Sequence, residues 1–352
     1  MLMSRILVIR GGAIGDFILT LPALKALRDA QPDAHIEILG YKHIAEVAQN
    51  RFYVQAVRSI EYGPLSRFFV RNSELPAESA GYFATFDFII SYLYDPDRIF
   101  EENLRRCGVE NLLCGPAKIG DKSGHAARQL ARPIEQLGIT VMDLSEKIFP
   151  SVEDRQFAHE FLCNLPRPVV AIHPGSGGKE KNWPLQNWIE LVSSIRDLSA
   201  ADDKPGRKGE RTSLVVVSGE ADESQTAQFE RDLKHCGLRF AKNLELPRLA
   251  AVLEQTIFVG HDSGISHLAA AAGANCILLF GPTNPKVWAP RNENVRVLRP
   301  QSGRLNDLDT TQVRIAVTNA LRPEGSRKDL DCLRTNPRSR LEISRAISMR
   351  SQ

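Results

Sequence analysis

Short β-rich apolar runs alternate with helix-period segments along the first third of the chain. Ile6 to Ile9 is an apolar run, Asp16 to Ala30 carries apolar residues at helical spacing, His35 to Leu39 returns to strand character, and a helical pattern resumes from His43. Strand, helix and strand with short connections predict a parallel sheet covered by helices. Phe86 to Tyr94 reads as another strand, whereas 63–84 and 115–125, rich in Gly, Pro, Ser and charge, read as loops. A second series follows Pro150. It contains a helical pattern from Phe157 to Leu162, a strand from Pro168 to His173, and a helix from Leu185 to Leu198 with Leu185, Trp188, Ile189, Val192 and Ile195 on one face. Strands at Leu214 to Ser218, Ile257 to Gly260 and Cys276 to Phe280 complete it. The fold class expected is α/β, with two doubly wound halves meeting near Pro150 to Asp154 across a cleft.

Length agrees, since 352 residues suit roughly two domains of about 150 residues. Apolar residues at 43% and charged residues at 25% exclude a disordered or fibrous chain. Lys and Arg exceed Asp and Glu by only 3, too few for dedicated nucleic-acid binding unless concentrated. The surplus lies in residues 323–352, where seven basic side chains meet four acidic ones, so 1–322 is formally neutral. Such a tail with little apolar periodicity is expected to be a mobile extension, with contact to an anionic membrane surface as the sharper alternative. Cys107, Cys114, Cys163, Cys236, Cys276 and Cys332 show no C-x-x-C pair, which predicts no disulfide framework or zinc site and suits a reducing cytoplasm. The opening apolar run is too short for a signal peptide. Gly273, Asn275, Gly281 and Pro282 break the uncharged stretch Leu268 to Pro285, so no transmembrane helix is expected. The polar segment 200–213 reads as a surface loop.

Three glycine-rich turns carry the candidate chemistry. The first, Arg10-Gly11-Gly12-Ala13-Ile14-Gly15-Asp16, follows a strand and opens a helix. It fails as a dinucleotide fingerprint because Arg10 stands where glycine is needed, but it sets Asp16 either as a helix first-turn acid or as a carboxylate at the mouth of the sheet. The second runs from His173 through Gly175, Ser176 and Gly177 to Lys181-Asn182-Trp183-Pro184. It lacks the ending of a P-loop, yet its amides can face phosphate oxygens, and Lys181 adds a point charge there or is simply solvated. The third is Gly260-His261-Asp262-Ser263-Gly264-Ile265-Ser266-His267, with Asp262 and Ser263 suited to cap a helix whose free N–H groups can take a phosphate. His261 and His267 do not share a helical face, so a metal pair is not expected, and His267 taken alone reads as a packing residue. Asp95-Pro96-Asp97 matches the short D-x-D pattern that can hold a divalent cation. Lys118, Lys122, His125 and Arg128 read as a solvated loop.

Together, RGGAIGDFILTLPAL (10–24), IHPGSGGKEKNWPLQNW (172–188) and FVGHDSGISHLAAAAGANCILLFGPTNP (258–285) resemble the ADP-heptose:lipopolysaccharide heptosyltransferases, glycosyltransferase family nine; residues 124–139 add a weaker fourth block. The resemblance implies the GT-B fold, with 1–152 an acceptor-binding Rossmann-like domain, 153–322 a nucleotide-sugar-binding one and 323–352 the basic tail. It implies Asp16 as catalytic base and Lys181 as the lysine preceding W-P. On the donor side it implies Gly175, Ser176, Gly177, Lys181, Leu244, Asp262, Ser263, Gly264 and His267, with Glu220, or else Asp222 or Glu223, at the nucleoside. Gly12, Gly15, Lys118, Lys122, His125 and Arg128 fall to the acceptor side. The expected activity is metal-independent, inverting transfer of a sugar, heptose from ADP-heptose by resemblance, to a lipopolysaccharide-core or other glycan or lipid-linked acceptor, with no cofactor. The alternatives are a metal-dependent nucleotide-sugar enzyme using Asp95 and Asp97 and a non-catalytic sugar-nucleotide binder. The expected location is cytoplasmic, with possible peripheral contact at the inner membrane.

Overall fold

The computed structural model describes residues 4–201, 212–219, 223–233 and 236–322. Two all-parallel sheets organise them. The first contains β1 (Arg5–Arg10), β2 (His35–Gly40), β3 (Ala56–Ser59), β4 (Phe88–Ser91) and β5 (Leu112–Cys114), in the order β3-β2-β1-β4-β5. The second contains β6 (Val169–His173), β7 (Ser213–Ser218), β8 (Arg239–Lys242), β9 (Ile257–His261), β10 (Asn275–Leu279) and β11 (Val295–Leu298), in the order β11-β10-β9-β6-β7-β8. Helices of the first half are α1 (Ile14–Ile18), α2 (Leu21–Ala30), α3 (Lys42–Ala45), α4 (Ala77–Ala84), α5 (Ile99–Arg106) and α6 (Ala126–Glu135). Those that follow are α7 (Val152–Leu162), α8 (Leu185–Ala201), α9 (Glu223–Asp232), α10 (Leu246–Glu254), α11 (Gly264–Ala272), α12 (Pro285–Trp288) and α13 (Thr310–Leu321). The doubly wound α/β class expected from the sequence is the one that forms.

Both faces of each sheet are buried, which is why the central strands read as unbroken apolar runs. Along β1, Ile6 and Val8 enter one core while Leu7 and Ile9 enter another with Phe68, Phe83 and Phe100. In the second sheet Val170 and Ile172 pack outward under Trp188 and Val192 of α8, and Val169 and Ala171 face inward. Each fully buried aliphatic side chain of this kind contributes about 1.5–3 kcal/mol. The inward core is continuous through both halves, from Ile6 and Leu24 to Phe258 and Leu268.

Two local expectations change. The helix expected from Asp16 to Ala30 is two helices, because Pro22 has no N–H for the Ile18 carbonyl and its ring crowds that carbonyl; Thr20 restarts the ladder as the α2 N-cap. The region 63–84 is not all loop, since a 3₁₀ turn spans Gly63–Phe69 and α4 follows, anchored by buried Phe68 and Phe83. Most of the polar segment 200–213, and all of 323–352, lie outside the described residues. Among the described residues all five cysteines are free, and no helix is long and apolar enough to cross a membrane.

In each sheet the chain reverses direction at one place, between β1 and β4 and between β6 and β9. Ligands of open parallel sheets bind beyond the carboxyl ends of strands at such switch points. The glycine turns follow β1, β6 and β9, so all three emerge there.

Candidate functional site

Asp16 stands in the first turn of α1, just beyond β1. Its Oδ2 accepts the Ala13 N–H at 3.0 Å, its Oδ1 lies 3.7 Å from an Arg10 guanidinium nitrogen, and the side chain is 38% exposed. Arg10 itself is buried, donates to the Asp16 carbonyl at 2.9 Å and lies over the Tyr92 ring at 5.6 Å. Burial pulls the Arg10 pKa down, with Asp16 and Tyr92 opposing the fall, and a guanidinium remains charged under such shifts. Gly12 has φ +98°, and a Cβ there would sit 2.8 Å from Asp16 Oδ2, so glycine is required for the turn to close on its carboxylate.

The other two turns come together on the second sheet. Lys181 Nζ donates to Asp262 Oδ2 at 2.8 Å, with Asp262 only 8% exposed. Lys181 closes a 3₁₀ turn by bonding its N–H to the Gly178 carbonyl at 2.9 Å. Within that loop Gly175 is buried, Ser176 donates to the Gly178 carbonyl at 3.2 Å, and Gly177 is exposed. Ser263 is the N-cap of α11 and lies 3.5 Å from His173 Nδ1. Ser266 donates a short hydrogen bond to the His261 carbonyl, and His261 Nε2 accepts the Trp183 N–H at 2.8 Å. His261 thus ties the β9 turn to the Lys181 loop. Leu244, half-buried, follows β8 on the same rim. Glu220 and Asp222 lie outside the described residues, and Glu223 begins α9.

The first and third glycine turns touch. A Cβ on Gly264 would stand 2.7 Å from Ile14 Cβ and 2.9 Å from the Gly15 nitrogen, so α1 and α11 approach through bare backbone. Gly15 is therefore a packing glycine at the junction of the two halves, as is Gly264. His267, on the first turn of α11, is buried and bonds through Nδ1 to Glu146 Oε1 at 2.7 Å.

Of the proposed acceptor cations, two are committed to structure. His125 is buried, caps α6 through Nδ1 and donates from Nε2 to the Ala289 carbonyl at 2.8 Å; burial lowers its pKa. That geometry removes it from the acceptor surface and makes it a clasp between the halves. Arg128 bonds Glu135 at 2.7 Å and the Val141 carbonyl at 2.8 Å. Lys118 lies over the Tyr94 ring at 4.6 Å, and Lys122 is exposed. Asp95 caps α5 by accepting the Glu101 N–H at 2.9 Å, while Asp97 is exposed. Among the described residues no group of three or more His, Cys, Asp or Glu could hold a metal ion.

Sequence reasoning missed two contributors. Arg10 ends a strand like any basic residue, and only the fold folds its guanidinium back under Asp16. Glu146 is a lone acid in the connection between the halves, 121 positions from its partner, and carries no local signal.

The glycosyltransferase family 9 (heptosyltransferase) model matches residues 125–315, more than half the chain. This chain belongs to that family. Family 9 relatives include lipopolysaccharide heptosyltransferase 1 of Escherichia coli O18:K1:H7 (strain RS218 / NMEC), 29% identical over 169 residues, 46% of this chain and 47% of that protein. The chain thus matches about half the length of that relative. Lipopolysaccharide heptosyltransferase 3 of Escherichia coli is 22% identical over 80% of this chain and 84% of its own. Among solved structures, E. coli ADP-heptose lps heptosyltransferase II superposes with a TM-score of 0.72 at 17% identity, covering 90% of this chain and 98% of that one. The superposition shows that this family 9 chain has the GT-B arrangement of two facing Rossmann-like halves. The implied base turn, residues 10–16, lies outside the matched family segment.

Proposed function

We propose that this protein is an inverting glycosyltransferase that moves heptose from ADP-heptose to a hydroxyl of a lipopolysaccharide-core acceptor, without a metal ion. The observation that supports the reading best is the backbone contact of Gly15 with Gly264, which joins the turn of the partly exposed Asp16 to the turn of Asp262, the partner of Lys181. The acceptor sugar then sits by the first half and the donor by the second.

The chemistry follows from that opposition. Asp16 accepts the proton of the acceptor hydroxyl as its oxygen bonds to the anomeric carbon. The bond from that carbon to the diphosphate breaks on the opposite side, and the diphosphate leaves with the electron pair. Its growing charge is met by Lys181, by the free N–H groups at the start of α11 and by the Gly175–Gly178 loop. An ammonium has three donors, so Lys181 can bond phosphate while keeping Asp262. Because residues 1–322 are formally neutral, recognition of an anionic donor rests on these placed groups rather than on bulk charge. Names of relatives supply the donor and acceptor of this proposal: an E. coli heptosyltransferase solved with ADP and the lipopolysaccharide heptosyltransferases cited above.

The test is Asp16→Asn. Acceptor-dependent release of ADP from ADP-heptose should fall by about 10²–10⁴-fold, the usual worth of a general base, with ADP affinity nearly unchanged. Turnover at the parent rate would remove Asp16 as base. Parent turnover should also persist in EDTA; loss on chelation and recovery with Mn²⁺ would instead favour a metal held by Asp95 and Asp97.

A further inference from the structure

Glu146 lies in the connection between α6 and α7, completely buried. A carboxylate withdrawn from water needs a charged or donating partner. Its Oε1 has one, His267 Nδ1 at 2.7 Å, while Oε2 is buried without a hydrogen-bond partner. The residue cannot swing away to find water. The Asn292 side chain holds both sides of its peptide, accepting the Glu146 N–H at 3.1 Å and donating to the Glu146 carbonyl at 2.7 Å, and Ile148 N–H bonds the Ala271 carbonyl at 2.9 Å.

The His267 ring is equally constrained. Its Cδ2 edge lies 3.5 Å from where a Cβ on Gly15 would stand, so the ring spans from the connection to the base turn. Four titratable groups from the surrounding elements act on it: Glu146 from the connection, Asp262 from the turn before α11, Asp16 from α1, and His125 at the start of α6. Burial favours the neutral ring, but the charge and hydrogen bond of Glu146, then the charges of Asp262 and Asp16, outweigh it and raise the His267 pKa above its ordinary value.

We propose that Glu146 is a positioning residue for sugar transfer: it fixes the His267 ring through Nδ1 and keeps it an imidazolium at the junction, where one buried cation serves both the Asp16 turn and the Asp262 turn. This rests on the glycosyltransferase reading. The ring edge packs against Gly15 of the Asp16 turn, and beside the donor turn the cation offsets the charge of the leaving diphosphate. Nδ1–H is committed to Glu146, so the remaining ring donor is Nε2–H. Neither histidine nor glutamate alone supplies this, since a lone buried imidazole deprotonates and a lone buried carboxylate takes up a proton.

Imidazole ¹⁵N spectra of the intact chain read the pair without substrate. His267 should be doubly protonated at about pH 7, and Glu146→Gln should move its titration down by about one unit or more. A neutral His267 in the parent protein overturns the proposal, and that measurement needs no variant to fold. Kinetics with ADP-heptose and a truncated lipopolysaccharide acceptor give the second arm. Glu146→Gln should cost about 10-fold in kcat at about pH 8 and recover most of it at about pH 6, where the ring regains its proton. An equal loss at both pH values means a packing role only and also overturns it. If the parent protein itself transfers nothing, the transfer reading fails, while the spectra still decide the state of the pair.

Discussion

On the proposed reading, Asp16 divides one carboxylate between structure and chemistry. Oδ2 closes the α1 turn through the Ala13 N–H, and Arg10 steadies the residue from beneath, yet the side chain keeps more than a third of its surface open. The Lys181–Asp262 pair is divided in the same way, between holding two loops together and presenting a cation. A double-mutant cycle separates these uses. Lys181→Met leaves a nearly buried Asp262 carboxylate unpaired, and Asp262→Asn frees Lys181, so the two changes should couple by about 0.5–3 kcal/mol in ADP affinity measured calorimetrically. Additivity within about 0.5 kcal/mol would mean that the 2.8 Å bond does not organise the donor side. These residues were legible in the sequence because each lies within a few positions of a glycine turn that follows a strand. Glu146 was not, because what makes it matter is burial against a residue distant in the chain. His125 was misread for the same reason: its ring is consumed by Ala289 in the other half, which no local pattern encodes.

At the scale of elements, the junction of α1 with α11 is the contact on which the site depends. Ser263 starts α11, Gly273 ends it at φ +96°, and the small residues between let it lie against the sheet. Gly264→Ala adds a carbon that would meet Ile14 and the Gly15 backbone at under 3 Å. The helices must then separate, an overpacking that typically costs about 1–3 kcal/mol. Denaturant unfolding should register that loss, and transfer should fall further than stability alone explains because Asp16 moves away from the donor turn. A Gly264→Ala protein as stable and active as its parent would show that the junction is slack. Central strands such as Ile6 to Ile9 and Pro168 to His173 could be read from the sequence because both of their faces are buried. The edge and short strands β3, β5, β8 and β11 could not. Ala56–Ser59 and Arg239–Lys242 are only partly covered and carry charge, so their apolar pattern never rises above that of a loop.

Among the described residues, two of the polar ties across the halves carry titratable groups whose pKa values are shifted. Arg51 makes two bonds to Asp154, at 2.7 and 3.0 Å, and Glu146 pairs with His267. Burial alone would raise the Asp154 pKa, but hydrogen bonds from Arg51 and Ser151 and the Arg51 charge bring it below its ordinary value. A depressed carboxylate gives stability that is present above its unfolded pKa of about 3.9 and lost as pH falls through the folded value. His267 is raised, so its contribution is complete below the unfolded value of about 6.5 and lost as pH rises through the folded one. Between about pH 4 and 6.5 both contributions are whole, so these two groups place the melting temperature highest there, with a decline on each side. Each kcal/mol lost should lower Tm by about 2–4 °C for a unit of 150–250 residues. Asp154 shares the acid flank with Glu101, Asp143 and His125, whose pKa values are also lowered. Arg51→Met should make the acid flank shallower and leave the alkaline one, because Asp154 then loses the partner that lowers it. Glu146→Gln should flatten the alkaline flank and leave the acid one, because the His267 pKa no longer lies above its unfolded value. Melting curves across pH for the three proteins decide this, and an alkaline decline that survives Glu146→Gln unchanged would assign that flank to some other group.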